Sequence, residues 1–419
     1  MHPYYEKAQS ICDLQEYEYD ATYWADKLER PQLPLNTAVV QTKMWQKSAP
    51  TRFGPKYRAA IVDSANVRLL TNANLVRLNL NEYGSEIKDI TIATLSGKEH
   101  QVRAGRFIMA CGALQNVRHL LNSNDVVNTG VGNENDRVGR YFMEHPHVDS
   151  AELVLLARYG TDLYFDHSMN STAFGMLVTS ERIQQEQQLQ NYSVRIMSAA
   201  EGSVTVNQSE DSEKLLNMWE GLDGRKEKVD KLKSIFGDEN VDRLLGKWAQ
   251  MKKVETHSES DKLDTVRYVF NTRSEQAPNP DSRVVLSRTK DALGIPHTQL
   301  NWQLLESDKL SILKSNLIMG SELGRVGLGR IKMADWLLAE HIEWPEYLAG
   351  GWHHMGVTRM STSPKEGVVD KNCQVHGVSN LYIAGSGVFS TSGVANPTLT
   401  IVALALRLAD FLNKTDKIA

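Results

Sequence analysis

The sequence predicts an α+β protein of two domains, and its length and two kinds of hydrophobic spacing indicate this class. At about 150 residues per domain, 419 residues correspond to two large units. Short runs typical of β-strands occur within 66–112 and 266–302, separated by turn residues. Apolar residues at helical spacing occur within 113–122 and 399–412. We therefore expect antiparallel strands combined with helices.

Composition limits the classes of partner. Hydrophobic residues make up 41% and charged residues 23%, as in globular proteins. The net charge of −4 gives no electrostatic reason to expect nucleic acid or an anionic membrane as the main partner. Cys12, Cys111 and Cys373 are far apart, which indicates neither a disulfide framework nor a thiolate metal site. The first 24 residues show no signal peptide and no apolar run reaches the ~18 residues of a spanning helix. A cytoplasmic location is the default prediction.

The N-terminal third predicts a β-meander between helices. Residues 3–30 suit a helix followed by irregular chain, and the prolines that follow indicate connecting structure. Four runs predict the strands of the meander: 66–71, 75–80, 89–95 and 106–112. The last strand ends at Cys111-Gly112, and a helix follows over 113–122. Such a turn can bring backbone N–H groups close to a phosphate or ribose, although a single glycine favours a plain structural turn.

The middle of the chain predicts helices and then a second sheet. Residues 207–265 are rich in Glu, Asp and Lys and read as two or three amphipathic surface helices, which the sequence favours as a solvated insertion over a lid or a subunit contact. The runs VRYVF, RVVLS and HTQLNW within 266–302 predict an antiparallel sheet in the second domain.

The C-terminal region is the most informative. LYIAG predicts a buried strand that ends in Gly385, Ser386 and Gly387, small residues that permit close approach of a ligand or backbone. Asn396 and Pro397 suit the N-cap and first position of a helix. Because 399–412 is apolar almost all round, we expect this helix to be buried with its positive end inside the protein. The residues alone leave Asn396 as a simple cap or as a site residue.

The sequence indicates neither a histidine metal site nor the nucleophile elbow of a serine hydrolase. If the chain is extended at His353-His354, the two side chains point to opposite faces, so at most one faces a given site. Their spacing to His376, or to His145 and His147, fits no standard metal-ligand pattern, and no metal is predicted. No GxSxG occurs, which excludes a hydrolase with a nucleophile elbow.

Several motifs in order carry a family resemblance. HHMGVTRM, VHGVSNLYIAGSGVF and SGVANPTLTIVALALRLAD closely resemble the C-terminal signature of glucose-methanol-choline (GMC) flavin oxidoreductases, and RFIMACGALQNVRHLLNS, VGRYFMEHP and EQAPNPDSRVVLS extend the resemblance upstream. It implies a two-domain flavoprotein, with a Rossmann-like FAD-binding domain and a substrate domain of antiparallel sheet and helices. The implied activity is FAD-dependent oxidation of a CH–OH donor such as a sugar, a polyol or another alcohol.

The resemblance also implies residue roles. His353 corresponds to the catalytic base and Asn396 to its partner, which orients the hydroxyl while hydride passes to flavin N5. Eight residues are implied near FAD: Val76, Ala110, Cys111, Gly112, Gly385, Ser386, Pro397 and Thr398. The electron acceptor could be oxygen, a quinone or a cytochrome.

One part of the family pattern is missing. The chain has no GxGxxG for the FAD pyrophosphate, so we expect the FAD-binding domain to be incomplete. A late start codon, a second chain that supplies the missing segment, or a decayed gene product would each explain this. Predicted boundaries are 1–51 for a connecting segment, 52–145 and 376–419 for the FAD-binding domain, and 146–375 for the substrate domain. The alternative function is a non-catalytic fragment or complementing subunit that cannot bind FAD alone.

Overall fold

Helices and antiparallel strands occur together, which confirms the α+β class. The computed structural model describes residues 1–49, 51–156, 160–164, 172–198, 265–339 and 343–416, so the helices predicted over 207–265 lie outside the described residues. The helices are α1 (His2–Ile11), α2 (Ala21–Leu28), α3 (Phe53–Val62), α4 (Ala113–Asn122), α5 (Glu181–Gln187), α6 (Glu306–Arg325), α7 (Asp335–Leu338) and α8 (Thr398–Asp416). The strands are β1 (Val40–Gln46), β2 (Asn74–Leu80), β3 (Ile87–Ala93), β4 (Glu99–Val102), β5 (Phe107–Met109), β6 (Pro146–Leu156), β7 (Ala173–Thr179), β8 (Tyr192–Ser198), β9 (Thr265–Ser274), β10 (Arg283–Lys290), β11 (Pro296–Asn301), β12 (Gly329–Met333), β13 (Ala349–Gly350) and β14 (Leu381–Ile383).

The largest sheet has seven antiparallel strands. One of the two hydrophobic cores of the described residues packs against it. The strand order of the sheet is β1-β7-β8-β9-β6-β12, and β13 also pairs with β6. All seven residues of β7 are buried, and α6 packs Ile312, Met319 and Leu323 into the same core. The strand predicted at VRYVF is β9 of this sheet. β1 is its edge strand, although the residues before position 50 were predicted to be connecting structure.

The second core surrounds two short parallel strands. β5 pairs with β14 in register Phe107 to Leu381, and α4 buries Val117 and Leu120 completely against them. The strand, turn and helix predicted from 106 to 122 are thereby confirmed. β2, β3 and β4 form the predicted meander, in which β4 was not foreseen. The domain boundaries given above stay a prediction.

In the first half, one strand prediction was wrong, and one predicted strand belongs to another sheet. Residues 66–71 form no strand, and Val67, Leu69 and Leu70 are each about half exposed. β-branched and apolar residues fit a pleated surface only where another strand pairs with them, and this segment has no such partner. The strand at 106–112 does not continue the meander, because β5 pairs with β14 instead.

The β10–β11 hairpin also differs from the prediction, because it lies apart from the seven-stranded sheet. It packs on α4, and Val284 of β10 is fully buried in the second core. The Arg118 side chain of α4 donates to the carbonyls of Ile295 and Pro296 at 2.9 and 2.6 Å.

The final helix is less buried than its composition predicts. α8 begins at Thr398, and the Ile401 N–H donates to the Pro397 carbonyl at 2.9 Å, so Asn396 precedes the cap position. Among its described residues only Ala403 and Leu408 are buried, and Thr398 is exposed. The prediction of a buried helix with an internal N-terminus was therefore wrong. One side of α8 packs on α1 and the second core, while the other side remains exposed in this chain.

Candidate active site

His353 and Asn396, which the family resemblance pairs, are in direct contact. The Asn396 Nδ2 atom lies 3.1 Å from His353 Nε2, although the two residues belong to different loops. Asn396 is exposed and His353 is half-buried, so this contact sits at an accessible edge. His354 turns elsewhere: its ring lies against Phe142, with centroids 5.7 Å apart. Only the first histidine of the pair therefore faces Asn396, as expected for adjacent residues.

A third residue, His145, lies behind His353. Their Nδ1 atoms are 2.9 Å apart and the rings meet edge to face. The other ring nitrogen of His145, Nε2, lies 3.3 Å from the Ser392 carbonyl oxygen. His145 is 1% exposed, so its ring is enclosed on the side away from Asn396.

A buried carboxylate fixes the backbone of both histidines. Glu144 accepts hydrogen bonds from the backbone N–H of His145 at 2.9 Å and from that of His353 at 2.8 and 3.0 Å. Gly350 and Gly351 allow this approach, because a Cβ on Gly351 would lie 2.7 Å from His353 Nδ1. The carboxylate therefore ties the start of β6 to the loop that carries His353.

Sequence reasoning named His145 and His147 only as metal candidates and missed Glu144, Gly351 and Ser392. The signal available was the repeated histidines of EHPH, but nothing in the spacing joins them to His353. Within the described part of the chain, no group of three or more His, Cys, Asp or Glu residues is placed to hold a metal ion.

Burial keeps the three clustered imidazoles neutral. It lowers the pKa of His145 and His353 to about 4 and that of His147 to about 3. The positive Arg273 side chain lowers the pKa of each further, and the rings also act on one another. A neutral His353 has a lone pair available to accept a proton at neutral pH.

These shifts predict that acid weakens the fold well above pH 4. An unfolded histidine titrates near 6.5, so between about pH 6.5 and 4 the unfolded state binds more protons than the folded state. The stabilisation is fully present above about 6.5 and is lost as the pH falls towards 4. We expect the urea midpoint to drop between pH 7.5 and 5, and His147→Gln to make that drop smaller.

The matched control for this prediction is His100→Gln, which removes an exposed imidazole from β4. Its pH dependence should equal that of the parent protein. If His147→Gln retains the full dependence as well, His147 is not one of its sources.

The predicted cofactor residues gather at the ends of two parallel strands. Ala110, Cys111 and Gly112 follow β5, and Gly385 and Ser386 follow β14; the Ala384 N–H donates to the Met109 carbonyl at 2.9 Å. In open parallel sheets, ligands bind beyond the carboxyl ends of the strands. Gly112 and Gly385 have φ of +85° and +134°, and a Cβ there would meet nothing within 4 Å. No other atom of the described residues therefore packs against Gly112 or Gly385 in the direction of a Cβ. Helix α4 begins at the same place, and no side chain caps its first N–H groups.

Hydrogen bonds join the end of β14 to the loop that carries His353 and His354. Ser386 Oγ donates to the His354 carbonyl at 2.6 Å, and the Gly356 N–H donates to the Ser386 carbonyl at 3.3 Å. Pro397 is buried beside the start of α8, whereas Val76 lies apart in β2, which packs on the other end of α4 through the Asn122 amide. Five of the eight predicted cofactor residues, Ala110, Cys111, Gly112, Gly385 and Ser386, therefore lie at the two strand ends, and Val76 lies apart from them.

Residues 278–405 match the family model described as GMC oxidoreductase, and this range contains His353, Asn396 and β14. Residues 278–405 therefore form a C-terminal domain of the GMC oxidoreductase type. The resemblance read from the motifs is thereby confirmed. Members of the GMC family are flavoproteins with FAD as cofactor.

Proteins of known activity are similar to this chain, one of them over 84% of its length. The chain is 26% identical over 356 residues to the fructose dehydrogenase large subunit of Gluconobacter japonicus, covering 84% of this chain and 55% of that protein. It is 31% identical over 125 residues to the 2-methyl-1,2-propanediol dehydrogenase of Mycolicibacterium austroafricanum, covering 30% and 21%. A structure of pyridoxine 4-oxidase from Mesorbium loti aligns with a TM-score of 0.47 at 12% identity, covering 98% and 69%. The chain thus spans about half the length of the first of these GMC relatives.

Within the described residues, no helix has both the length and the apolar character needed to cross a membrane.

Proposed function

We propose that this chain carries the catalytic half of an FAD-dependent oxidoreductase acting on a CH–OH donor, with His353 as the base. The contact between His353 Nε2 and Asn396 Nδ2 at 3.1 Å carries the proposal. It joins two polar groups at an accessible edge, and one of them is a neutral imidazole with a lone pair. A hydroxyl placed there can give its proton to the imidazole while the amide holds its oxygen.

Each residue has a defined part in this scheme. His353 Nε2 takes the hydroxyl proton, which makes the adjacent carbon a better hydride donor. The Asn396 amide N–H donates to the hydroxyl oxygen and sets the direction of the O–H bond. Glu144 holds the His353 backbone, so the imidazole keeps its position. FAD, when bound, supplies the hydride acceptor.

A sugar or polyol is the proposed substrate class. Two relatives are named for the oxidation of a sugar and of a diol. Next to the base, Trp352 is 87% exposed and adopts a φ of +60°, which is uncommon for a non-glycine residue. The Trp352 ring lies edge to face with the ring of His354, with centroids 6.5 Å apart, and its exposed aromatic surface could contact the C–H face of a sugar ring on that side of the loop.

We further propose that another polypeptide segment, in a longer form of this chain or in a second chain, completes the FAD site. Ile108, in the middle of β5, is 49% exposed although its neighbours Phe107 and Met109 are buried. Helix α3 has no buried residue, and the apolar Val67, Leu69 and Leu70 after it are also exposed. Apolar surface of this kind beside a two-stranded sheet suits a further strand and helix.

The visible absorbance spectrum tests the proposed activity and shows whether the residues of this chain hold FAD without the further segment. The purified chain is incubated with FAD, desalted and mixed without oxygen with a panel of sugars, polyols and simple alcohols. We expect protein-bound flavin bands that at least one sugar or polyol bleaches. Bound flavin that no member bleaches would contradict the proposed activity. Loss of all flavin on desalting would favour the complementing-subunit alternative and the need for another segment.

A further inference from the structure

The hydrogen bonds around His145 determine where the protons of the histidine pair lie. A carbonyl oxygen can only accept, so the 3.3 Å contact between His145 Nε2 and the Ser392 carbonyl requires a proton on Nε2. A neutral imidazole carries one proton, which leaves His145 Nδ1 as an acceptor. The atom that faces it at 2.9 Å, His353 Nδ1, must then be the donor.

These hydrogen bonds determine the tautomer of His353, the proposed base. With its proton on Nδ1, a neutral His353 has its lone pair on Nε2, the nitrogen that faces the Asn396 amide N–H at 3.1 Å. The Asn396 contact agrees with this tautomer but does not fix it, because a half-turn of the exposed amide would present its oxygen to an Nε2–H instead; the Ser392 carbonyl, which can only accept, decides. The opposite tautomer would place two lone pairs against each other at His145.

The groups that face the pair are consistent with two neutral rings. His147 and Arg273 lie on the sheet side, His354 follows in the chain, and the Glu144 carboxylate binds backbone N–H groups of both histidines. A proton added to His145 would have no acceptor at Nδ1, because that position faces an N–H. Burial of the ring, which is 1% exposed, opposes the charged form as well.

We propose that His145 is a positioning residue that, anchored by the Ser392 carbonyl, holds His353 as the Nδ1–H tautomer with Nε2 free to accept a proton. The catalytic consequence rests on the proposed function, whereas the tautomer itself does not. When His353 becomes protonated at Nε2, its Nδ1–H bond to His145 becomes charge-assisted and stronger, which stabilises the cation. A neutral imidazole thereby serves where other enzymes use a carboxylate to orient a histidine.

Two substitutions at this position separate the two contacts. In His145→Asn, the side-chain amide lies at about the position of Nδ1 and its oxygen can still accept from His353. In His145→Gln, the amide lies at about the position of Nε2, so it can donate to Ser392 and cannot accept from His353. His145→Leu removes both contacts.

The first readout is independent of flavin and of substrate. Nitrogen-15 chemical shifts of the His353 ring, assigned by comparison with His353→Gln, report which nitrogen carries the proton. We expect Nδ1–H in the parent protein and in His145→Asn, and mainly Nε2–H in His145→Gln and His145→Leu. Nε2–H in the parent protein would overturn the proposal, and this measurement requires no variant of His145 to fold. Retention of Nδ1–H in His145→Leu would overturn it too.

The second readout is the rate of anaerobic flavin bleaching by a substrate found in the panel above. We expect His145→Gln and His145→Leu to lose about 10- to 100-fold in rate, as when a group that orients a functional histidine is removed, with KM little changed. His145→Asn should recover most of the rate. Equal loss in His145→Asn and His145→Leu would contradict the positioning role. If no substrate bleaches the flavin while the tautomer is as expected, the proposed function fails and the hydrogen-bond chain stands.

Discussion

Replacing His353 with Ala is expected to lower the rate of substrate-driven flavin bleaching by at least about 100-fold and up to about 10,000-fold, the usual contribution of a positioned base. The imidazole is the neutral group in contact with Asn396, and no nearby carboxylate can replace it because Glu144 is occupied by backbone N–H groups. The flavin spectrum should stay unchanged, because most of the residues proposed to contact FAD follow β5 and β14 and His353 is not among them. Stopped-flow absorbance under anaerobic conditions measures both quantities.

The matched control is His354→Ala, which removes the adjacent imidazole. The His354 side chain lies against Phe142, and its backbone carbonyl, which accepts from Ser386, is retained in the variant. We expect a much smaller change in rate. Unchanged bleaching in His353→Ala, or equal losses in the two variants, would show that His353 is not the base.

Replacing Gly139 with Ala is expected to lower the free energy of unfolding by about 2 to 5 kcal/mol, the sum of backbone strain and overpacking. Gly139 has a φ of +85°, and an added Cβ would lie 2.3 Å from the Val284 carbonyl oxygen. Its N–H donates to the Val357 carbonyl and its carbonyl accepts from the Val284 N–H, both at 2.8 Å. The new methyl group must therefore part β10 from the loop that carries His353. Urea unfolding followed by circular dichroism measures the loss.

Gly97→Ala separates strain from steric conflict. Gly97 has nearly the same φ, +83°, but a Cβ there would meet nothing within 4 Å. It should therefore show only the backbone cost, about 1 to 2 kcal/mol for an L-residue in this region. If the two variants lose the same stability, the close approach at Val284 does not matter.

Local signals predicted those parts of the fold that depend on neighbouring residues. The strand, glycine turn and helix from 106 to 122 follow from hydrophobic spacing over a few residues, and α4 has the predicted bounds. The segment 66–71 carries the same β-rich signal and forms no strand, because strand formation also needs a partner. For β5 that partner is β14, which lies in the C-terminal region of the chain.

In the candidate site, too, some features follow from the sequence and others from the tertiary structure. From motifs in the chain came the family, the FAD cofactor and the pairing of His353 with Asn396, because these are properties of residue identity and order. The arrangement behind His353 came from the fold: His145 is 208 residues away in sequence, and the Ser392 carbonyl is a backbone group that no side-chain pattern can indicate. The path of the backbone brings these atoms within hydrogen-bond distance. A hydrogen bond depends on position and direction in space, and spacing along the chain carries neither.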